Sequence, residues 1–257
     1  AVNETLAAIA NGERRICVTS PTGGGKTWDM QELARKYLER GLRVSLYSNR
    51  KMLIEQTSAK LMDAGLYHGI RAAGYSDERE HPFQVSSIQT EHSRVTKRQQ
   101  WVLHPSDLVL VDEGHLHANA SSKAILDAHI EAGAVYVVFT ATPFGLELIC
   151  DRLIIAGRPS ELRACGALVP ALHYGPDEPD WKAFKGLREH ELPTEPEAAK
   201  AMHPPRIIGR VWEWFNRLNP TRRPTILFGP DVRGSKWFAE EFFRRGVSAA
   251  HIDAQEV

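Results

Sequence analysis

The sequence has few of the features that mark a secreted, zinc-stabilised or membrane-spanning protein. Its three cysteines, Cys17, Cys150 and Cys165, are an odd number without C-x-x-C spacing, which argues against a disulfide framework or a zinc site. No apolar run approaches the ~20 residues that a membrane-spanning helix needs, and residues 1–15 lack the basic-then-apolar order of a signal peptide. We therefore expect a cytoplasmic protein with reduced thiols and no membrane partner.

The chain also lacks an excess of charge of either sign. It carries 32 basic and 32 acidic residues, so its formal net charge is +0. The net charge therefore gives no indication of a nucleic-acid partner, and any site for one has to be a local basic patch. The sequence does not begin with methionine, and we expect residue 1 to lie inside a longer protein.

Apolar strand-like runs alternate with helical patterns up to residue 142. The predicted strands cover 14–20, 42–48, 83–89, 107–113 and 134–142, and the predicted helices cover 26–41, 50–65 and 121–133. This alternation predicts an α/β fold with a mostly parallel sheet and crossover helices.

The pattern loosens after Pro143. Residues 157–205 are rich in proline, glycine and charge, and we expect connection and surface there. The sequence that follows predicts helices at 206–219 and 235–246 and strands at 224–229 and 247–253. These elements are too few to complete a second α/β domain.

The stretch "SPTGGGKT" lies between the first predicted strand and the first predicted helix. Its glycines allow consecutive N–H groups to turn inward around phosphate oxygens, and the following helix N-terminus adds its dipole. Lys26 can reach the β- and γ-phosphates of ATP, and the Thr27 hydroxyl can bind Mg²⁺. The candidate nucleotide-binding residues are Thr22, Gly23, Gly24, Gly25, Lys26 and Thr27. The alternative is a glycine-rich turn with an incidental lysine. Ser20 stands at the usual first glycine and is small enough to keep the turn.

A second polar group follows the buried strand "LVLV". Asp112 and Glu113 stand at its carboxyl end, the edge of an α/β sheet at which ligands bind. Asp112 is a candidate Mg²⁺ ligand, and Glu113 is a candidate to polarise the attacking water. A solvated acidic turn is the alternative.

His115 and His117 form an H-x-H pair without further clear metal ligands, so we predict a polar relay role for His115 and a surface position for His117.

Taken in order, "SPTGGGKT", "DEGH" and "TATP" resemble motifs I, II and III of superfamily 2 helicases, the DEAD/DEAH-box class. "LYSNRKMLIEQ" is similar to motif Ia, "VSSIQT" to motif Ib, and the segment from "ILFGPD" to "AAHID" to the region of motif IV. The "DEGH" and motif Ia sequences resemble bacterial or phage DNA helicases and restriction-type translocases more than the RNA-directed branch.

The resemblance implies a RecA-like three-layer α/β/α domain over residues 1–145, a connection over 146–205, and the incomplete beginning of a second such domain over 206–257. It implies catalytic roles for Lys26, Asp112, Glu113 and His115, and Mg²⁺ binding by Thr27 and Asp112. Thr140 and Thr142 would couple the γ-phosphate to the grip on nucleic acid. Ser48, Arg50, Gln89 and Thr90 would contact the phosphates of a strand. For the stretch from Ser48 to Arg50, an ordinary capped turn is the alternative.

The sequence departs from the family pattern in three places. Gly114 replaces the usual Ala or Cys of motif II, a change that we expect to be sterically harmless. No upstream glutamine that could read adenine is present, which leaves base selectivity open. The sequence ends before motifs V and VI, and in the family motif VI supplies arginine fingers worth ~10³–10⁵ in rate. We therefore expect full activity to require residues beyond Val257.

The resemblance predicts an ATP-dependent nucleic-acid helicase or translocase that acts on DNA rather than RNA, as a monomer, with ATP and Mg²⁺. One alternative is a module that binds ATP or nucleic acid with little turnover, and another is a subunit of a restriction-type translocase. A small-molecule phosphotransferase is disfavoured by "TATP" and by the second α/β unit.

Overall fold

A computed structural model describes residues 1–48, 51–75, 80–174, 204–229 and 231–253. The chain divides into two compact units, Ala1–Leu172 and His173–Val257. The predicted division at residues 145 and 205 stays a prediction. In the described residues, no helix is both long and apolar enough to cross a membrane.

The first unit is built on a sheet of seven parallel strands. Its strands are β1 (Arg15–Thr19), β2 (Val44–Ser48), β3 (Gly69–Arg71), β4 (Phe83–Ser87), β5 (Leu108–Val111), β6 (Val135–Thr140) and β7 (Arg152–Ile155). Their spatial order is β3-β4-β2-β5-β6-β1-β7, and every pairing is parallel. The predicted α/β class with a parallel sheet is confirmed.

The helices of the first unit precede, connect and follow these strands. They are α1 (Val2–Ala10), α2 (Lys26–Leu38), α3 (Lys51–Asp63), α4 (Ile88–Glu91), α5 (Ala120–Glu131) and α6 (Pro159–Ala164). A π-helical segment, His92–Lys97, continues directly from α4. The long helices lie within a few residues of the predicted ones, whereas α1, α6 and the edge strands β3 and β7 were not predicted.

Side chains that alternate along each strand place a core on both faces of the sheet. Ile16 and Val18 of β1 belong to a buried cluster with residues of α1, α2 and α3. Cys17, between them, belongs to a second cluster with residues of α4 and α5. The sheet is therefore the middle of three layers, and its central strands are buried on both sides, as the run "LVLV" predicts.

The second unit contains two amphipathic helices, α7 (Pro204–Leu218) and α8 (Val232–Arg244). Trp212 and Phe215 of α7 meet Phe242 of α8 edge to face, with ring centroids 5.4 and 5.1 Å from it. The strands predicted at 224–229 and 247–253 are wrong, because both segments are described and neither forms a strand. An extended segment becomes a strand only by pairing, and these two pair with nothing in the described residues, so Phe228 stays 88% exposed.

Candidate nucleotide site and nucleic-acid edge

The predicted site residues meet at the carboxyl edge of the sheet. The phosphate loop follows β1, the carboxylate pair follows β5, and "TATP" begins at the end of β6. Since β6 lies between β5 and β1, its last residue, Thr140, borders both other motifs.

The phosphate loop is fixed by Ser20, which is 1% exposed. Its backbone N–H donates to Thr140 O at 3.0 Å, and its hydroxyl donates to Gly24 O at 3.1 Å. A Cβ on Gly24 would overlap Ser20 Oγ, and Gly23 and Gly25 have φ of 79° and 88°, in the left-handed region that favours glycine. The loop therefore needs its glycines, and Ser20 supports the turn as predicted.

Lys26 begins α2 and folds back over this loop. Its ammonium donates to the carbonyl oxygens of Ser20 and Pro21, at 3.2 and 3.4 Å. Neutral carbonyls are weaker partners for an ammonium than phosphate oxygens are. The glycine-rich phosphate loop and Lys26, which folds over it, therefore fit the phosphates of a nucleoside triphosphate.

An apolar wall flanks the loop on a side that the sequence did not predict. Leu162 of α6 comes within 3.2 Å of the position that a Cβ on Gly24 would occupy. Leu168 comes within 3.4 Å of the corresponding position on Gly23. Both leucines lie in the stretch expected to be connection and surface.

The two carboxylates of "DEGH" differ in environment. Burial, followed by the negative charge of Glu113, raises the pKa of Asp112, and the positive charge of Lys26 acts against this rise. Asp112 Oδ1 accepts the backbone N–H of Glu113 at 2.9 Å. Glu113 has φ 50° and ψ 52°, an unusual conformation for a residue with a side chain. This conformation lets the two adjacent side chains diverge.

Gly114 fits its position without a clash, in line with the expectation from sequence, but the structure adds that a side chain at this position would not fit without a rearrangement. It is buried, and a Cβ at this position would overlap Val138 Cγ1 of β6. The valine at this point of β6 fills the space that an alanine methyl would take, so a side chain here requires Val138 to shift. The close approach joins the turn after β5 to a residue within β6 that lies 24 residues away in sequence, so the pattern of motif II alone does not show it.

His115 connects the carboxylates to Thr140. Its Nδ1 lies 3.2 Å from Thr140 Oγ1 and 3.5 Å from Glu113 Oε2. The Thr140 hydroxyl donates to Thr142 O at 3.1 Å and accepts from Thr142 N at 3.0 Å. Its one proton is thus used, so His115 Nδ1 must be the donor in its contact with Thr140. The geometry supports the predicted relay position of His115.

The predicted surface position of His117 is wrong. Its exposure is 0%, because the tight turn at Gly114–Leu116 leads the chain back beneath the start of α5, where His117 Nδ1 lies 3.2 Å from Ser122 Oγ. Burial lowers the pKa of His117 to about 4. His117 is therefore a neutral core residue.

The predicted nucleic-acid residues lie on the neighbouring strands of the same edge. Ser48 ends β2 and pairs in register with Ser87, which ends β4. Ser48 Oγ is buried without a hydrogen-bond partner in the described residues. Ser87 caps α4 by accepting Thr90 N at 3.4 Å, and its hydroxyl donates to the side chain of the exposed Gln89 at 3.1 Å. Arg50 lies outside the described residues.

No cluster of three or more His, Cys, Asp or Glu side chains suited to a metal ion occurs in the described part of the chain. A divalent cation in this site would therefore depend on few protein ligands together with the phosphates of a nucleotide, which is the usual mode for Mg²⁺.

Comparison with known proteins agrees with the order of the motifs. The family model described as "Type III restriction enzyme, res subunit" matches residues 1–145. The chain belongs to this family. Its domain is of the superfamily 2 helicase type, and the sheet with a phosphate loop after β1 is the predicted RecA-like fold.

Individual relatives are distant. A "51.5 kDa protein" of Lactococcus phage (isolate 7-9) is 24% identical over 243 residues, which cover 93% of this chain and 49% of the phage protein. The chain thus spans about half the length of this curated relative.

Among solved structures, the UvsW helicase of bacteriophage T4 matches with a TM-score of 0.45 and 18% identity, over 55% of this chain and 54% of that one. A hypothetical ATP-dependent RNA helicase of Sulfolobus tokodaii matches with a TM-score of 0.48 and 18% identity, over 59% of this chain and 51% of that one.

Proposed function

We propose that the protein is an ATP-dependent nucleic-acid motor, a helicase or translocase that acts on DNA rather than RNA. The observation that carries this proposal is the position of Thr140 between the phosphate loop and the carboxylate motif. Its carbonyl accepts Ser20 N, and its hydroxyl contacts His115. One strand end thereby touches both halves of a nucleotide site.

In this proposal each group at the edge has one role in ATP hydrolysis. Lys26 leaves the loop carbonyls and neutralises the β- and γ-phosphates, and Glu113 orients the attacking water. Thr27 and Asp112 hold Mg²⁺, which when bound neutralises charge on the phosphate oxygens. Burial raises the pKa of Asp112, and a divalent cation bound beside the carboxylate would favour its charged form, which is consistent with a metal-binding role.

The coupling to nucleic acid begins at His115. Its Nδ1–H is within reach of both Glu113 and Thr140, so a change at the γ-phosphate that moves Glu113 alters the contact with Thr140. Thr142, which follows in the exposed turn, would carry this change outward. Ser48, Gln89 and Thr90 would hold the strand through hydroxyls, an amide and the helix start. Arg50 is proposed for the same role on its sequence position alone.

The experiment is phosphate release by the protein with no nucleic acid, with single-stranded DNA, with duplex DNA and with RNA. We expect stimulation by DNA above the basal rate and above RNA. A rate that no nucleic acid raises would reject the motor, and stronger stimulation by RNA would reject the choice of DNA.

The family description also favours a more specific candidate, a subunit of a restriction-type translocase. A translocase that moves along duplex DNA consumes more ATP on longer duplexes until dissociation limits it. We propose to compare ATP turnover on linear duplexes of increasing length and on circular DNA. A rate independent of length would favour the strand-separating helicase instead.

A further inference from the structure

A basic segment follows the predicted strand contacts without interruption. The π-helical segment begins one residue after α4, in which Gln89 and Thr90 lie. From residue 92 to 106 the sequence contains no acidic residue, and it contains Arg94, Lys97 and Arg98. This is a local basic patch on a chain whose net charge is +0.

The two ends of this segment are fixed by one buried guanidinium. Arg71 of β3 donates through Nε to Glu91 Oε1, and through Nη2 to Glu91 Oε2 at 3.1 Å. Its Nη2 also donates to Val102 O at 2.9 Å. The side chains of Arg71 and Glu91 are 2% and 0% exposed. Because Glu91 precedes residues 92–101 and Val102 follows them, Arg71 fixes both ends of this stretch.

An aromatic ring orders the inside of the segment. Trp101 lies between two guanidinium groups. The Cζ atoms of Arg71 and Arg94 are 4.8 and 4.2 Å from the centroid of its ring. The Arg94 carbonyl accepts the N–H groups of Gln100 and Trp101, at 2.8 and 3.2 Å. Val95 packs against the core cluster below α5. Arg94 is thus engaged by the protein itself.

Lys97 and Arg98 differ from Arg94 in having no such role. Both are exposed, and the described residues offer neither side chain a carboxylate or hydrogen-bond partner, although the Arg98 backbone N–H donates to Ser93 O. A fixed segment that presents two unpaired cations is suited to bind a polymer with regularly spaced anionic groups. A nucleic-acid backbone supplies phosphates at regular intervals, and cations bind it without reading the bases.

We propose that Lys97 and Arg98 bind phosphates of the strand held by Gln89 and Thr90, and that Arg71, Glu91 and Trp101 position them. This inference rests on the proposed function. It extends the candidate nucleic-acid edge beyond the motifs found in the sequence, onto a segment that the sequence pattern left unassigned.

The first test measures binding of the chain to a fluorescein-labelled oligothymidine by anisotropy, from about 0.05 to 0.3 M NaCl. In the double variant Lys97→Ala with Arg98→Ala, the magnitude of the slope of log affinity against log salt should fall by about 1.4, at roughly 0.7 per lost contact. Binding near 0.1 M salt should weaken about tenfold. Lys36→Ala with Arg40→Ala is the matched control. It removes Lys36 from the last turn of α2 and Arg40 from the turn that follows, one helix length away from the phosphate loop at which α2 begins, and should leave the slope unchanged.

If the double variant of Lys97 and Arg98 has the same salt slope and affinity as the wild-type chain, the inference is overturned. The proposed motor function is not affected by that result. An equal loss in both double variants also overturns it, because the effect then follows total charge and not this segment. If the unchanged chain binds neither single-stranded nor duplex DNA nor RNA, the proposed function is rejected together with the inference.

The positioning role of Trp101 has its own readout. Trp101→Ala keeps every cation, so we expect weaker binding with the salt slope retained. Trp101→Phe keeps a ring between the two guanidinium groups and should restore affinity. Unchanged affinity in Trp101→Ala, in a protein that melts cooperatively, would remove the positioning role.

Discussion

Thr140 Oγ1 lies 3.2 Å from His115 Nδ1, and this contact links the end of β6 to the carboxylate motif. The same residue accepts Ser20 N through its carbonyl oxygen. Thr140, at the end of the buried strand β6, therefore contacts both the phosphate loop after β1 and the carboxylate motif after β5.

We expect Thr140→Val to separate ATP turnover from its stimulation by nucleic acid. The substitution keeps the shape but removes the hydroxyl that His115 and Thr142 use, at a cost in stability of ~1 kcal/mol. Basal phosphate release should persist, and the stimulation by DNA should fall. Thr140→Ser, which keeps the hydroxyl and removes only the methyl group, serves as the control and should keep the stimulation. Full stimulation in Thr140→Val would contradict the coupling role.

Lys26→Ala should abolish ATP turnover and leave the fold intact. Among the described residues the ammonium donates to two loop carbonyls, so its loss removes little that stabilises the protein but removes charge stabilisation of the transferred phosphate. Phosphate release and thermal unfolding should be measured together. Unchanged ATPase activity would reject the site, whereas a large fall in melting temperature would point to a structural role.

Glu113 should show a trade between stability and activity. Glu113→Gln keeps the side chain and its left-handed backbone, so we expect ATP binding without hydrolysis at unchanged stability. Glu113→Gly relieves the backbone and should raise the free energy of unfolding by about 1 kcal/mol, while hydrolysis is lost. Urea unfolding of the two variants tests this. Destabilisation by glycine would show that the side chain itself supports the fold.

Gly114→Ala should destabilise the protein by about 1–3 kcal/mol, because its methyl would overlap Val138 Cγ1. Val138→Ala creates the missing space, so the double variant should be more stable than the sum of the single effects predicts, by about 1 kcal/mol or more. Val137→Ala is the control, since Val137 is equally buried but belongs to the cluster on the other face of the sheet. A rescue of equal size by Val137→Ala would reject a direct contact.

The protein should lose stability steeply as the pH falls below neutrality. Burial lowers the pKa of His104 and of His117 to about 4, and that of His129 to about 3, from the usual 6.5. Each histidine is neutral in the folded state and gains a proton on unfolding. Stability is therefore complete above pH 6.5 and falls between pH 6.5 and 4, by up to about 4 kcal/mol per pH unit for three groups.

His117→Asn tests this pH dependence, because an amide replaces the contact with Ser122 but does not titrate. Its unfolding free energy should depend on pH less steeply, by about 1.4 kcal/mol per unit. Equal steepness in the unchanged chain and in His117→Asn would show that other groups govern acid unfolding.

The sheet and its site could be predicted because each element carried a local signal. The run "LVLV" is buried on both faces, and the glycine loop lies between a strand and a helix, so neighbouring residues sufficed. The order of the motifs then placed Lys26, Asp112 and Thr140 at one edge, since parallel strands share their carboxyl ends.

What the sequence did not reveal depends on contacts between distant segments. β3 has only three residues and is defined by its pairing with β4, and β7 lies in a stretch of weak periodicity. The burial of His117 and the contact of Gly114 with Val138 depend on how the turn after β5 packs on β6. The segment 224–229 shows the reverse error, since β-branched and aromatic residues form no strand without a partner.

The close approach of Gly114 to Val138 also constrains how this family can vary. A relative with alanine or cysteine after its two motif II acidic residues needs a smaller side chain at the position of Val138, or a displaced strand end. We therefore expect the two positions to covary among homologous sequences, with glycine accompanying valine and larger motif II residues accompanying alanine or glycine. The third residue of the motif would then record the packing of β6 rather than a difference in chemistry.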